Sequence, residues 1–227
     1  RFVLLTDLKT IVEAFRIQEV ACEYAPHHNI SPGREVAAVI HDVRNRLVGF
    51  RWGLIPSWAR DPAIGNRMFN ARAETLAEKP SFREAFRKRR CLIVADGFYE
   101  WMKAENPKSP KQPVRFTVDG GEPFAFAGLS TTREWEGEQL TSCTIITTTA
   151  NETVEPVHNR MPVILGDPEI EKAWMSGNLE VDEAIGLCRP LDAARMEAKP
   201  ANPALNKVGG TKEGPDFLEA PEPSDSD

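Results

Sequence analysis

The chain has 227 residues, 41% of them apolar, with five Trp and a formal net charge of −6; that is enough apolar material for one sizeable core and argues against disorder over most of the length. No apolar run approaches the roughly 20 residues of a membrane span, and no signal-peptide core is visible, so a soluble protein is expected. Four dispersed cysteines (Cys22, Cys91, Cys143 and Cys188) without a CxxC pair fit reduced intracellular thiols rather than a zinc ribbon, and the acidic balance gives no global reason to expect nucleic-acid binding.

In chain order, Asp7 caps a predicted helix in which Leu8, Ile11, Val12 and Phe15 recur at helical spacing. "EYAPHHNISPG" (23–33) reads as a loop rich in turn formers. "REVAAVIHD" and "NRLVGFRWGLIP" predict two strands joined as a hairpin around Val43–Asn45. In "SFREAF" Ser81 and Glu84 have capping-box spacing, which predicts a short helix running into the basic run Arg87–Arg90. Cys91–Trp101 reads as one strand, and "NPKSPKQP" as a loop before the strand "VRFTV". "DGGEP" is a turn; "FAFAGLS", the β-branched "LTSCTIITTTA", and "MPVIL" are strands. "DPEIEKAWM" has Asp167 as cap and Pro168 at the first helical position, and "VDEAIGLC" predicts a second short helix.

Many strands with a few peripheral helices predict an α+β fold built on a curved, barrel-like, mostly antiparallel sheet. One domain is expected over residues 1–218. The last nine residues, "EAPEPSDSD" (219–227), are expected to be a disordered acidic tail.

Few residues can carry acid–base chemistry. His158 lies in "EPVHNRMPVIL", between Pro156 and Pro162, and a loop stiffened in that way holds a side chain well; an ordinary His satisfied by backbone groups fits the same pattern. Glu100 sits in "ADGFYEW", where alternation puts Phe98 and Glu100 on one face and Gly97, Tyr99 and Trp101 on the other. If the first of these faces lines a cleft, burial raises the pKa of the acid; if it faces water, Glu100 is ordinary. Extended "FNARAET" (69–75) presents Asn70, Arg72 and Glu74 together, either to an anionic ligand such as a phosphodiester or as an internal Arg72–Glu74 pair. Trp52 and Trp58, near Arg51, Arg60 and Arg67, fit a stacking platform with a basic rim or simply the core. The Arg87–Arg90 run reads as a solvated helix end. His27–His28 has only Glu23 as a close acid, so no metal site is expected there.

"RFVL", "RWGLIPSWA", "NARAET", "RRCLIVADGFYEW" and "VHNRMPVIL", in this order, resemble SRAP-domain proteins, the SOS-response-associated peptidase family, from Arg1 to about Leu218. Members of that family begin Met-Cys-Gly-Arg-Phe and lose the Met, so the resemblance implies a Cys-Gly ahead of Arg1. It implies a DNA-damage-response protein that crosslinks covalently to abasic sites in single-stranded DNA. The terminal Cys contributes its α-amine, which forms a Schiff base, and its thiol, which closes a thiazolidine. In that reading Asn70, Glu100 and His158 are the catalytic residues. Asn70 holds the sugar or the Cys, Glu100 manages the protons of the amine, and His158 protonates the sugar ring oxygen. Arg1, Trp58, Arg72 and Arg160 are DNA contacts. Self-removal of the initiator Met, no cofactor or metal, a monomer, and a cytoplasmic location with nucleoid association on DNA are expected. Two other readings stand beside it: a cysteine peptidase or amidohydrolase acting on other substrates, and a noncovalent single-strand binder.

Overall fold

The structure is a computed structural model that describes residues 1–103 and 109–206, with Gly214 and Leu218; the acidic tail and the first part of the "NPKSPKQP" loop lie outside the described residues. The chain opens with β1 (Phe2–Leu4), all three side chains buried, then α1 (Leu8–Ala14). Asp7 caps α1, accepting from the Thr10 N–H at 3.0 Å, and Ile11 turns into the core. β2 (Glu19–Val20) and β3 (His27–Ile30) follow, then the predicted hairpin of β4 (Glu35–His41) and β5 (Asn45–Trp52). β3 overturns the expected loop over 23–33: this polar stretch is an edge strand, paired antiparallel with β1 and anchored by buried Ile30.

A long excursion leads to β6 (Asn70–Arg72). Its shape depends on two glycines whose backbones meet. Gly53 has φ +141°, and a Cβ added there would lie 2.6 Å from the Gly65 carbonyl oxygen, so only glycine fits. α2 (Arg83–Lys88) begins after Phe82 and has no side-chain cap, contrary to the capping box expected at Ser81 and Glu84. The Phe82 and Arg83 N–H groups already bond the Lys79 carbonyl at 2.9 Å, so two donors that a cap would satisfy are taken.

The predicted strand Cys91–Trp101 is two strands, β7 (Arg90–Ala95) and β8 (Gly97–Met102), and they belong to different sheets. Asp96 makes the break: its carboxylate accepts from the Thr6 N–H at 2.9 Å and the Thr6 hydroxyl at 3.1 Å, while its own N–H donates to the Val3 carbonyl at 3.0 Å. Arg90 is buried rather than solvated. Its Nε donates to the Trp174 carbonyl at 2.7 Å and its Nη1 to the Phe86 carbonyl at 3.0 Å, with the guanidinium 5.6 Å from the Trp174 ring centroid.

The remaining elements are β9 (Gln112–Val118), β10 (Phe124–Trp135), β11 (Glu138–Thr149), β12 (Arg160–Pro162), β13 (Ile164–Leu165), α3 (Pro168–Met175), α4 (Val181–Leu187) and β14 (Met196–Pro200). "MPVIL" thus divides between β12 and β13, which pair with β11 and β10 respectively, because the chain crosses from one partner to the other at Val163. β14, unsignalled by its polar sequence, completes the edge of β9. Asp167 caps α3, with Pro168 at its start.

β5, β4, β7, β10 and β11 form a closed ring, antiparallel throughout except where β11 meets β5 in parallel. A second sheet, in the order β14-β9-β8-β1-β3, packs against it. The fold class is therefore as predicted: α+β, barrel-like and mostly antiparallel. The two sheets meet through aromatic rings: Phe2 lies 5.2 Å from Trp52 and 5.6 Å from Phe126, and Phe98 lies 6.1 Å from Phe126. Burying each such side chain contributes roughly 1.5–3 kcal/mol, so β1 is held against the barrel despite its length.

One buried acid plays no part in that packing. Glu171 on α3 is 9% exposed, and burial, with Asp167 adding to it, pushes its carboxyl up to about 8 against a weaker opposing pull from Arg16. A group whose folded pKa is raised stabilises the fold fully below its unfolded pKa and loses that contribution as pH climbs through the folded value. Glu171→Gln is therefore expected to gain on the wild type by up to about 1.4 kcal/mol per pH unit between roughly pH 4.5 and 8. Urea unfolding at pH 5, 7 and 9 measures this; parallel stability profiles for the two proteins would rule it out.

Candidate functional site

Between the two sheets lies a cavity of about 340 Å3 that brings together Arg1, Asn70, Arg72, Glu100, His158 and Arg160. Its floor is apolar: Phe2, Trp52, Phe69, Phe98 and Phe126 all reach it. The sequence scatters these residues over most of the chain, and three pairings collect them. β1 runs antiparallel to β8, with Phe2 opposite Phe98 and Val3 opposite Gly97, which brings Arg1 to the end of β8 that carries Glu100. β6 runs parallel to β11, with Asn70 beside Ile145 and Arg72 beside Thr147. β12 pairs with β11, with Arg160 opposite Thr149, which sets the His158 loop on the opposite wall. Gly97 lets β1 come close: a Cβ there would sit 2.9 Å from Val3 Cγ1 and 3.0 Å from the Phe116 carbonyl oxygen.

Alternation along β8 is as expected, and it is the face with Phe98 and Glu100 that lines the cavity. Burial pushes the Glu100 carboxyl above the ordinary glutamate range, while His158 pulls it back.

His158 is anchored at one ring nitrogen. The Arg160 N–H lies 3.1 Å from Nδ1 and the Arg160 carbonyl oxygen 3.0 Å from it. The N–H suits a bare Nδ1 and the carbonyl a protonated one, so either tautomer keeps this anchor. A helical turn closes the loop, with the His158 N–H donating to the Val154 carbonyl at 3.0 Å.

Arg160 reaches the cavity, but its guanidinium is engaged: Nη1 and Nη2 bond Glu74 at 2.5 and 3.0 Å, and Nη2 also bonds the Thr147 carbonyl at 2.7 Å. Glu74 is therefore the ion-pair partner of Arg160, and Arg72 stands exposed at the rim beside Asn70. The two tryptophans of "RWGLIPSW" have opposite fates. Trp52 is 3% exposed and donates its Nε1–H to the Phe69 carbonyl at 2.7 Å, whereas Trp58 is 56% exposed. Trp58 does not line the cavity; it stands in a separate groove with Arg60, Ile64 and Arg67.

Sequence reasoning missed the aromatic floor and Thr147. β11 alternates so that Ile145 and Thr147 face the cavity, a signal present in "TIITTT" but shared by any half-buried strand. No cysteine lines the cavity; Cys91 and Cys188 are buried, their thiols pushed up to about 12, and so are protonated at neutral pH. Among the described residues, no three His, Cys, Asp or Glu side chains cluster to hold a metal. No helix among them is long and apolar enough to cross a membrane.

A family model described as SOS response associated peptidase (SRAP) matches residues 1–208. An abasic site processing protein of Bacillus subtilis, YoqW, is 46% identical over 213 residues, covering 91% of this chain and 93% of its own. The abasic site processing protein HMCES of Xenopus tropicalis is 31% identical over 202 residues, 75% of this chain and 60% of the relative. Among solved structures, a Bacteroides thetaiotaomicron protein superposes with a TM-score of 0.69 at 31% identity over 75% of each chain. A Bordetella bronchiseptica protein superposes with a TM-score of 0.73 at 24% identity, over 88% of this chain and 98% of that one.

Proposed function

The chain belongs to the SOS response associated peptidase family, and from that premise we propose that it processes abasic sites in DNA by covalent capture. The substrate is the deoxyribose of an abasic site in single-stranded DNA, and the nucleophile is a Cys joined ahead of Arg1 through Gly. One observation carries the reading: β1 delivers Arg1 into the cavity that holds Glu100 and His158. Since β1 and β8 are antiparallel, each step back from Arg1 is a step forward along β8, so the Gly joined ahead of Arg1 falls opposite Glu100 and the Cys one step beyond it.

The chemistry follows from the groups assembled there. His158 gives a proton to the sugar ring oxygen, the bond from that oxygen to C1 breaks, and the anomeric hydroxyl loses its proton to water as the aldehyde forms. The neutral amine adds to the carbonyl carbon, a C–N bond forms, and water leaves as the imine appears. The thiol sulfur then bonds the imine carbon, its proton passes to the nitrogen, and a five-membered thiazolidine closes. Glu100 takes and returns the amine's protons, Asn70 holds the sugar or the Cys by its amide, and Arg72 meets a flanking phosphate. Arg1, and Arg160 beside its Glu74 partner, complete the rim that the DNA meets, and the exposed Trp58 offers a base-stacking surface further out. Because the whole chain carries a net charge of −6, affinity depends on this local basic rim and falls with salt. Release of the initiator Met at the same Glu100 and His158 pair, a monomeric state and a cytoplasmic location belong to the same reading.

The test uses protein with Cys-Gly ahead of Arg1, incubated with single-stranded DNA carrying one abasic site and run on a denaturing gel. A band that survives denaturation is expected, and it should vanish when that Cys is replaced by Ser. If protein with a free terminal Cys forms no such band, the reading fails.

A further inference from the structure

The front end of the chain is also held from behind. After β14 the backbone crosses the outer face of the second sheet, where the Ala201 N–H donates to the Pro113 carbonyl at 2.8 Å. The turn Pro203–Asn206 then buries Leu205 completely against Val3, Tyr99 and Ala201. From this fixed point the Leu205 carbonyl accepts Arg1 Nη1 at 2.6 Å. The Arg1 guanidinium also lies 4.9 Å over the Trp101 ring, whose Nε1–H donates to Asn206 Oδ1 at 3.0 Å. Asn206 in turn donates its Nδ2 to the Lys111 carbonyl at 2.8 Å. The turn thus grips both residues that flank the Glu100 end of the β1–β8 ladder.

Such a grip matters because β1 has three residues, and beyond Phe2 a single backbone bond, Tyr99 N–H to the Arg1 carbonyl at 2.9 Å, is described between its end and β8. A chain end on so short a strand frays, and a frayed end carries its reactive groups through a large volume. We propose that the turn Pro203–Asn206 is a positioning element which, through Arg1 and Trp101, keeps the Cys-Gly ahead of Arg1 beside Glu100. Leu205 and Asn206 do not line the cavity, so they act through Arg1 and Trp101 and not on the substrate. The proposal rests on the covalent-capture reading and gives a task to the C-terminal part of the domain, which that reading leaves without one.

The test compares wild type, Asn206→Ala, Arg1→Met and Arg1→Lys, each with Cys-Gly ahead of residue 1. Three quantities are measured: hydrogen exchange at the Tyr99 amide, which reads docking of the Arg1 end without any chemistry; the single-turnover capture rate at saturating abasic DNA; and Kd for single-stranded DNA carrying a tetrahydrofuran analogue that has no aldehyde. Asn206→Ala is expected to speed Tyr99 exchange and to cut the saturated rate roughly tenfold, with Kd unchanged. Arg1→Met should lower the rate similarly, and Arg1→Lys, which still donates to the Leu205 carbonyl, should recover most of it. Unchanged Tyr99 exchange in Asn206→Ala, or a loss confined to Kd, overturns the positioning role. If the wild type captures and Asn206→Ala matches it, this inference alone fails. If the wild type captures nothing, the functional reading fails, and Tyr99 exchange still decides whether the turn holds the Arg1 end.

Discussion

Glu100→Gln is expected to slow covalent capture of abasic DNA by about a hundredfold or more, with little change in fold, because the two side chains have nearly the same shape. Gln keeps the packing against the cavity wall and removes only the proton-accepting function. In the wild type, burial raises the carboxyl's pKa, while His158 opposes the rise. The sign of the pH effect follows. In the wild type the rate should climb as pH rises through the carboxyl's elevated pKa, since Glu100 must be ionised to take the amine's proton. In Glu100→Gln the amine loses its stabilising negative charge and stays neutral to lower pH, so the acid limb should flatten at a low overall rate. Single-turnover capture between pH 5 and 8 measures both features. Intact mass must first show that the variant's terminal Cys is free, because a retained Met would block the amine and mimic the loss. A wild-type rate from Glu100→Gln with a free terminus would remove Glu100 from the chemistry.

Much of this cavity was legible before the coordinates, and the parts that were not share a physical cause. Local signals worked where one residue decides the matter: Asp7 and Asp167 cap their helices because a short acceptor side chain meets orphan N–H groups within the next turn. Alternation correctly separated Glu100 from Tyr99 and Trp101, yet only the second sheet's position against the barrel shows which face is enclosed. The errors arise where a distant partner outvotes the local pattern. Ser81 has capping geometry in sequence, but the Lys79 carbonyl takes the N–H groups of Phe82 and Arg83 first. Arg90 looks like the end of a solvated basic run until Trp174, from α3, supplies a carbonyl and a ring. Asp96 splits an apolar run because residues at the opposite end of the chain, Val3 and Thr6, complete its hydrogen bonds. Glu74 is two residues from Arg72 yet bonds Arg160, 86 positions away. The five motifs contain Asn70, Glu100 and His158, which the fold brings to one cavity, whereas the contacts of the Pro203–Asn206 turn carry no such signal, because a backbone carbonyl such as that of Leu205 can be offered by any residue.

His158→Gln is expected to lower capture of a natural abasic site by about a hundredfold, and the loss should depend on the form of the sugar. A natural site is mostly the closed hemiacetal, which must be protonated at its ring oxygen before an aldehyde exists. His158 suits that step because the Arg160 backbone holds Nδ1 and so fixes the ring at the cavity wall. Gln offers a hydrogen bond but no transferable proton. Single-stranded DNA carrying a linear aldehyde that cannot close a ring bypasses the step, and on it His158→Gln should recover to within about tenfold of the wild type. A smaller change accompanies the variant: His158 helps to hold the Glu100 carboxyl down, so its removal lets that pKa rise and moves the acid limb of the rate profile to higher pH. Equal losses on the closed and the linear substrate would mean that His158 serves the amine or the DNA rather than ring opening. In that case the cavity's proton traffic would pass through Glu100 alone.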